Sequence, residues 1–193
     1  MGQTNGECMR REMIWAADDG IGSEYLIVAG DDSGYQADSV VFASRDGEPA
    51  RVHYEVRCDP EWRVRDVRVT VTGREPRVLR LQSDGAGEWT GADGTALPEF
   101  DGCLDIDISA TPFTNTLPIR RLNLKPGQVE PIRVLYIHVP TLEIEPWDQR
   151  YTGLAPNRVR YESIGSDFMR ELEIDEDGLV VTYPGLFRRV WSR

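Results

Sequence analysis

Nowhere in the chain do 18 apolar residues run together, so no membrane-spanning helix is predicted. The start, M-G-Q-T-N-G-E-C-M-R-R-E, holds no apolar run of the kind that directs secretion, and the expectation is a cytoplasmic protein. Gly2 loosely fits the N-myristoylation pattern, but position 6 is Gly rather than Ser or Thr, and that reading is set aside. Cysteine is scarce. Cys8, Cys58 and Cys103 are widely spaced and odd in number, which fits a reduced compartment better than a disulfide framework and gives no metal-ligand spacing. With only His53 and His138, zinc and triad chemistry have few materials, and both histidines read as packing or surface residues of alternating strands. Positive charge is also short: 22 basic against 33 acidic residues leave a net charge of −11. Nucleic acid and anionic membrane surfaces are therefore poor partners. Finally, no stretch repeats apolar residues at three and four positions over eleven or more residues, so long amphipathic helices are excluded.

What remains is alternation. At 193 residues and 40% hydrophobic content the chain can build one sizeable core, and the expected organisation is a flexible segment 1–11 followed by one domain, 12–193. Strands are predicted around Met13 to Trp15, Glu24 to Ala29 and Ala37 to Ser44, with turns at Asp18-Asp19-Gly20, Gly30 to Gly34 and Arg45-Asp46-Gly47. Arg51 to Cys58 places Val52, Tyr54, Val56 and Cys58 on one face, a period of two over eight residues. From Trp62 to Thr72 the alternation slips by one residue at Asp66-Val67, which predicts a bulge. Further strands are predicted at Arg77 to Gln82, Val129 to Val139, Thr141 to Pro146, Arg158 to Glu162, Phe168 to Ile174 and Leu179 to Tyr183. About twelve antiparallel strands are too many for a flat sheet, so the fold class is all-β, a large antiparallel barrel or half-barrel with at most one or two short helices. Arg51-Val-His-Tyr-Glu echoes Arg158-Val-Arg-Tyr-Glu, which leaves open an internal duplication or chance alternation.

Polar chemistry is concentrated in Asp101 to Arg121, D-G-C-L-D-I-D-I-S-A-T-P-F-T-N-T-L-P-I-R-R. Asp105 and Asp107 share one strand face, roughly 6.6 Å apart at about 3.3 Å per residue, opposite Leu104, Ile106 and Ile108. They read as a solvated acidic face, an acid/base pair, a hard-cation site or acceptors for sugar hydroxyls. Ser109 to Thr116 supplies hydroxyls and Asn115, either for a self-satisfied turn or for a ligand. Arg120 and Arg121, read as strand neighbours, would face opposite ways. An inward guanidinium needs a carboxylate or an anionic ligand. Trp62, Trp89, Trp147, Tyr151, Tyr161 and Tyr183 could line an interior, although ordinary core packing explains any one of them.

The central run, together with Val56-Arg57-Cys58-Asp59 and Trp62, Gln149-Arg150-Tyr151-Thr152, Asp177-Gly178-Leu179-Val180 and Tyr183-Pro184-Gly185-Leu186-Phe187-Arg188-Arg189, resembles the bacterial putative glycolipid-binding family over roughly residues 12 to 190. The resemblance implies a barrel-like β domain, similar to the lipoprotein-localisation carriers, and a role in binding glycolipids. Matched polar positions, which it offers as ligand contacts, are Arg57, Asp59, Trp62, Asp105, Asp107, Thr111, Thr114, Asn115, Arg120, Arg150, Tyr151, Tyr161, Tyr183 and Arg188. The leading expectation is a non-enzymatic holder of a glycolipid or lipid, without cofactor or metal and without stable membrane insertion, as a monomer or homodimer. Its apolar interior would take acyl chains, Asp105, Asp107 and Asn115 would meet hydroxyls, and an Arg would meet any phosphate or carboxylate. A hydrolase using Asp105 and Asp107, and a structural domain buttressed by Arg–Asp pairs, are the alternatives.

Overall fold

Period-two alternation carries through most of the chain because a sheet with one buried face needs it, and it becomes fourteen strands in one sheet. The computed structural model describes residues 9–45, 48–73 and 75–193. The first seven strands are β1 (Met9–Ala17), β2 (Ser23–Asp31), β3 (Gly34–Arg45), β4 (Glu48–Cys58), β5 (Val64–Thr72), β6 (Arg77–Ser83) and β7 (Trp89–Gly91). They are followed by β8 (Asp105–Ile108), the helix α1 (Thr116–Leu122), β9 (Val129–Ile137), β10 (Ile144–Ala155), β11 (Arg158–Ser163), β12 (Met169–Ile174), β13 (Val180–Tyr183) and β14 (Phe187–Ser192).

The strands run β7 to β1 as one meander and β14 to β9 as another, joined by antiparallel pairing of β1 with β14. The sheet curls strongly into a half-barrel without closing. Its two edges, β7 and β8, are consecutive in sequence, and the connection between them bridges the gap. The Trp89 indole N–H donates to the Cys103 carbonyl at 2.7 Å, and Gly102 N–H donates to Gly87 O at 3.0 Å. Only glycine suits Gly87, whose φ is +105° and whose Cβ would lie 2.9 Å from Gly102 Cα.

The predicted bulge is present: Arg57 pairs with Asp66 but Cys58 pairs with Val64, leaving Arg65 as the extra residue. Several expectations need correction. Strand β1 begins at Met9, so residues 9 to 11 belong to the sheet, while 1–8 and the Asp46-Gly47 turn lie outside the described residues. The sheet is not wholly antiparallel, since β8 pairs in parallel with β9. Thr141 to Pro146 and the Gln149 segment merge, from Ile144 onwards, into the single twelve-residue strand β10. The echoed strands β4 and β11 run in opposite directions through the alternating pairings, so no rotation about the axis of the curl relates them.

Arg120 and Arg121 lie on α1 rather than on a strand. Pro118 is the third helical residue, where no intrahelical N–H bond is lost, and Asn123, left-handed at φ 45°, ends the helix. Leu117 and Ile119 anchor it against the interior. Seven residues are too few to display a helical recurrence in sequence, which is why alternation of Leu117, Ile119 and Arg121 imitates a strand.

Two apolar clusters fill the concave side. The larger takes Met13, Trp15, Leu26, Val28, Val52, Tyr54, Val67 and Val69 from the first meander, together with Ile106 and Ile108 of β8. The smaller consists of Tyr151, Val159, Tyr161, Leu172, Val180 and Tyr183 with Ile119 of α1.

Candidate functional site

Strand β8 has both faces covered. Ile106 and Ile108 enter the larger cluster, while Asp105 and Asp107 turn toward α1 and β10, Asp105 fully buried and Asp107 half-buried. The two carboxylates have different fates. Asp105 is fully buried and receives two bonds from Arg121, Nη2 at 2.5 Å and Nε at 3.2 Å. Burial raises the Asp105 pKa, and the guanidinium opposes that rise. Asp107 accepts from Gln149 Nε2 at 2.6 Å and from Thr114 Oγ1 at 3.1 Å. Burial raises its pKa also, opposed only by these neutral donors.

Asp107 sits in the wall of a cavity of about 350 Å³. The loop after β8 supplies Thr111 and Asn115, β9 supplies Tyr136, β10 supplies Trp147, and Tyr161, Phe168, Tyr183 and Phe187 come from β11 to β14 and their connections. The polar groups of the wall are largely fixed from behind. Tyr151 donates to Asn115 Oδ1 at 2.9 Å, Asn115 Nδ2 donates to Pro112 O at 3.3 Å, and Trp147 Nε1 donates to Ser163 Oγ at 2.8 Å. Burial raises the Tyr161 and Tyr183 hydroxyl pKa values, and the Asp107 charge raises them further.

A second cavity, about 540 Å³, lies alongside. Its wall includes Ala17, Val41, Phe42, Ala43, Ala50, Ala110 and Val139 and is predominantly apolar. The two share Ser109, Tyr136, His138, Leu186 and Phe187. His138 therefore stands at the junction, with its Nε2 2.6 Å from Glu145 Oε1. Behind Thr111 lies a further buried acid. Glu24 Oε1 accepts from Tyr54 at 2.5 Å and from Ser39 at 2.7 Å, and Tyr54 Oη is 3.2 Å from Thr111 Oγ1. Burial pushes the Glu24 pKa up to about 7, against the hydrogen bonds from Thr111, Tyr54 and Ser39.

Of the residues expected from the sequence, Asp107, Thr111, Asn115, Tyr161 and Tyr183 line the smaller cavity. Asp105, Thr114 and Tyr151 stand behind that wall. Trp62 and Arg120 meet elsewhere: Trp62, at φ 63°, stacks on Tyr35 at 4.2 Å and carries the Arg120 guanidinium at 5.2 Å. The remaining four face away from the cavities. Arg57 and Arg188 are exposed, Arg150 pairs with Glu162 on the outer face at 3.5 Å, and Asp59 caps its own turn by accepting from Glu61 N and Arg63 N. No arginine lines either cavity among the described residues, which corrects the expectation of a guanidinium for a phosphate or carboxylate. Trp89 is core rather than lining. Tyr136, His138, Gln149, Ser163, Phe168 and Phe187 are additions to the expected set, and Trp147 among the expected aromatics does line the cavity.

Among the described residues, no three His, Cys, Asp or Glu side chains converge as metal ligands, and no helix is long and apolar enough to cross a membrane. The family model described as "Putative glycolipid-binding" matches residues 12–189. A crystal structure of a DUF1089 family protein from Pseudomonas aeruginosa is 43% identical, covers 86% of this chain and 92% of its own, and superposes with a TM-score of 0.79. No curated protein matches.

Proposed function

The chain belongs to the putative glycolipid-binding family, and from that premise we propose that it holds an amphipathic ligand, headgroup in the aromatic cavity and tail in the apolar one. The observation that carries this reading is the junction. A ring-lined cavity that carries Asp107, Thr111, Asn115 and Ser163 and a larger one to which Ala17, Val41, Phe42, Ala43, Ala50 and Val139 contribute share one wall, Ser109, Tyr136, His138, Leu186 and Phe187, so one elongated molecule can reach both sets of side chains at once. Each lies within the roughly 300–1,000 Å³ usual for small-molecule sites. Aromatic rings offer broad contact to a headgroup, and the fixed hydroxyl and amide groups of Thr111, Asn115 and Ser163 orient it.

Geometry weighs against hydrolysis by an Asp105–Asp107 pair. Only Asp107 reaches the cavity, while Asp105 is held by Arg121 behind it, so the two cannot flank one scissile bond. Binding without chemistry is the function supported.

Native mass spectrometry of the purified protein, before and after organic extraction, is the test. The expected result is a near-stoichiometric amphiphile that leaves on extraction, with Trp147 fluorescence then responding saturably when a long-chain amphiphile is returned. A folded protein that carries nothing and responds to no amphiphile would overturn the proposal.

A further inference from the structure

The headgroup cavity has an electrostatic character that narrows its ligand class. Its aromatic rings are not stacked. Tyr161 meets Phe168 at 71°, Tyr183 meets Tyr161 at 61°, and Phe187 meets Tyr183 at 64°, with centroids 6.0 to 6.5 Å apart. Tyr136 and Trp147 continue the wall, 5.6 Å apart and tilted by 36°. Six aromatic side chains, Tyr136, Trp147, Tyr161, Phe168, Tyr183 and Phe187, thus border one cavity, and the face of such a ring is its negative part. Asp107 adds a carboxylate to the same wall.

That carboxylate has no cation. Its hydrogen-bond partners are Gln149 and Thr114, and among the described residues no Arg or Lys pairs with it, whereas Asp105 two residues away has Arg121. The other charged groups nearby are accounted for. His138 Nε2 is committed to Glu145, and Arg170 stacks on Phe168 at 4.5 Å while donating to the Pro184 and Met169 carbonyls. A neutral sugar filling the cavity would close over the half-buried Asp107 carboxylate without a counter-ion, at a cost that a positive headgroup removes.

From the aromatic lining and the Asp107 carboxylate without a cation we infer that the headgroup bound is an organic ammonium, a quaternary or protonated amine, with Asp107 as its counter-ion. Cation–π attraction to Trp147 and the tyrosines supplies the remainder of the recognition. The inference rests on the amphiphile reading and goes further by naming the charge of the headgroup.

The test compares dodecyltrimethylammonium with dodecyl maltoside, which share a chain length, below micelle formation and at about 0.15 M salt so that the overall negative charge is screened. Tryptophan fluorescence or calorimetry should show the ammonium binding about tenfold tighter, and Asp107→Asn should remove most of that preference. A second measurement needs no variant: choline should bind the native protein and displace the longer cation, while its uncharged isostere 3,3-dimethylbutanol should not. Equal affinity for both detergents, or choline no better than the isostere, would overturn the ammonium inference while leaving amphiphile binding intact. If neither detergent binds the folded protein, both readings fall together.

Discussion

Inward positions of β1 to β5 are mostly valine, leucine, methionine and tryptophan, whereas on β10 to β13 Tyr151, Tyr161 and Tyr183 alternate with Val159, Leu172, Ile174 and Val180, and Phe168 and Phe187 pack beside them. Branched aliphatic side chains interdigitate, and Val28, Val52, Val64 and Val69 are wholly buried. Planar rings meeting edge to face at 5.5 to 6.5 Å do not close up in the same way, and the headgroup cavity opens where they line the curl. The aromatic cavity thus belongs to the second half of the sheet, while the first half is filled at these valines and opens only toward Ala17, Val41, Ala43 and Ala50, which border the second cavity. The buried acids differ in parallel. Glu24, on the filled side, has hydroxyl donors on Oε1 and none on Oε2; Asp105, on β8 between the halves, has an arginine; Asp107, beside the aromatic cavity, has only neutral donors.

The strongest way to break the distinction is to remove the cation from Asp105. Arg121→Met keeps much of the side-chain volume but leaves a fully buried carboxylate unpaired, so the expected loss is about 3–5 kcal/mol in urea unfolding. The double variant Arg121→Met with Asp105→Leu should recover most of it. A loss under about 1 kcal/mol would mean the pair is a surface-like contact and that β8 does not depend on it.

Much of this architecture could be read from the chain because alternation has a direct physical cause: one face of each strand is buried. Val52, Tyr54, Val56 and Cys58 lie inward as their spacing requires, and the phase slip at Asp66-Val67 is a bulge. The site was legible only in part. Asp107, Thr111, Asn115, Tyr161 and Tyr183 meet in the cavity, but Arg57, Arg150 and Arg188 occupy the outward phase of their strands and point away from it. That phase was visible at Arg57, which alternates against Val56 and Cys58. Gln149 and His138 carried no local signal, since a lone polar residue on a strand reads the same whether it faces solvent or an acid across the sheet. The helix at Arg120-Arg121 was hidden by its shortness.

A second comparison turns on Glu24. Its folded pKa of about 7 stands above its ordinary 4.5, so between those values the folded protein keeps a proton that the unfolded chain has released. Stability from this group is therefore full below pH 4.5, falls as pH rises through the window, and stays low above pH 7. The whole effect is about 3 kcal/mol at most. Glu24→Gln retains hydrogen-bonding capacity but cannot ionise, so its stability should decline less than that of the parent between pH 5 and 8. Asp105 and Asp107 are common to both proteins and cancel in the difference. Identical pH slopes would show that Glu24 is already ionised in the folded state.

The smallest expected effect sharpens the contrast most. If the tyrosines of β11 and β13 are there to line a container, their hydroxyls should matter little to folding. Tyr161 has no hydrogen bond from its hydroxyl among the described residues, while Tyr151, on the neighbouring strand, donates to Asn115 at 2.9 Å. Tyr161→Phe should change unfolding free energy by less than about 0.5 kcal/mol, and Tyr151→Phe should lose about 1 kcal/mol by leaving Asn115 Oδ1 without its donor. Calorimetric or urea unfolding of the two variants decides it. The same change on adjacent, cross-strand paired rings would then give unlike costs, placing the fixed wall at Tyr151 and the ligand-facing surface at Tyr161. Equal costs would mean that the rings on this side serve packing as the valines do on the other, and the contrast between the two sets of inward side chains would not hold.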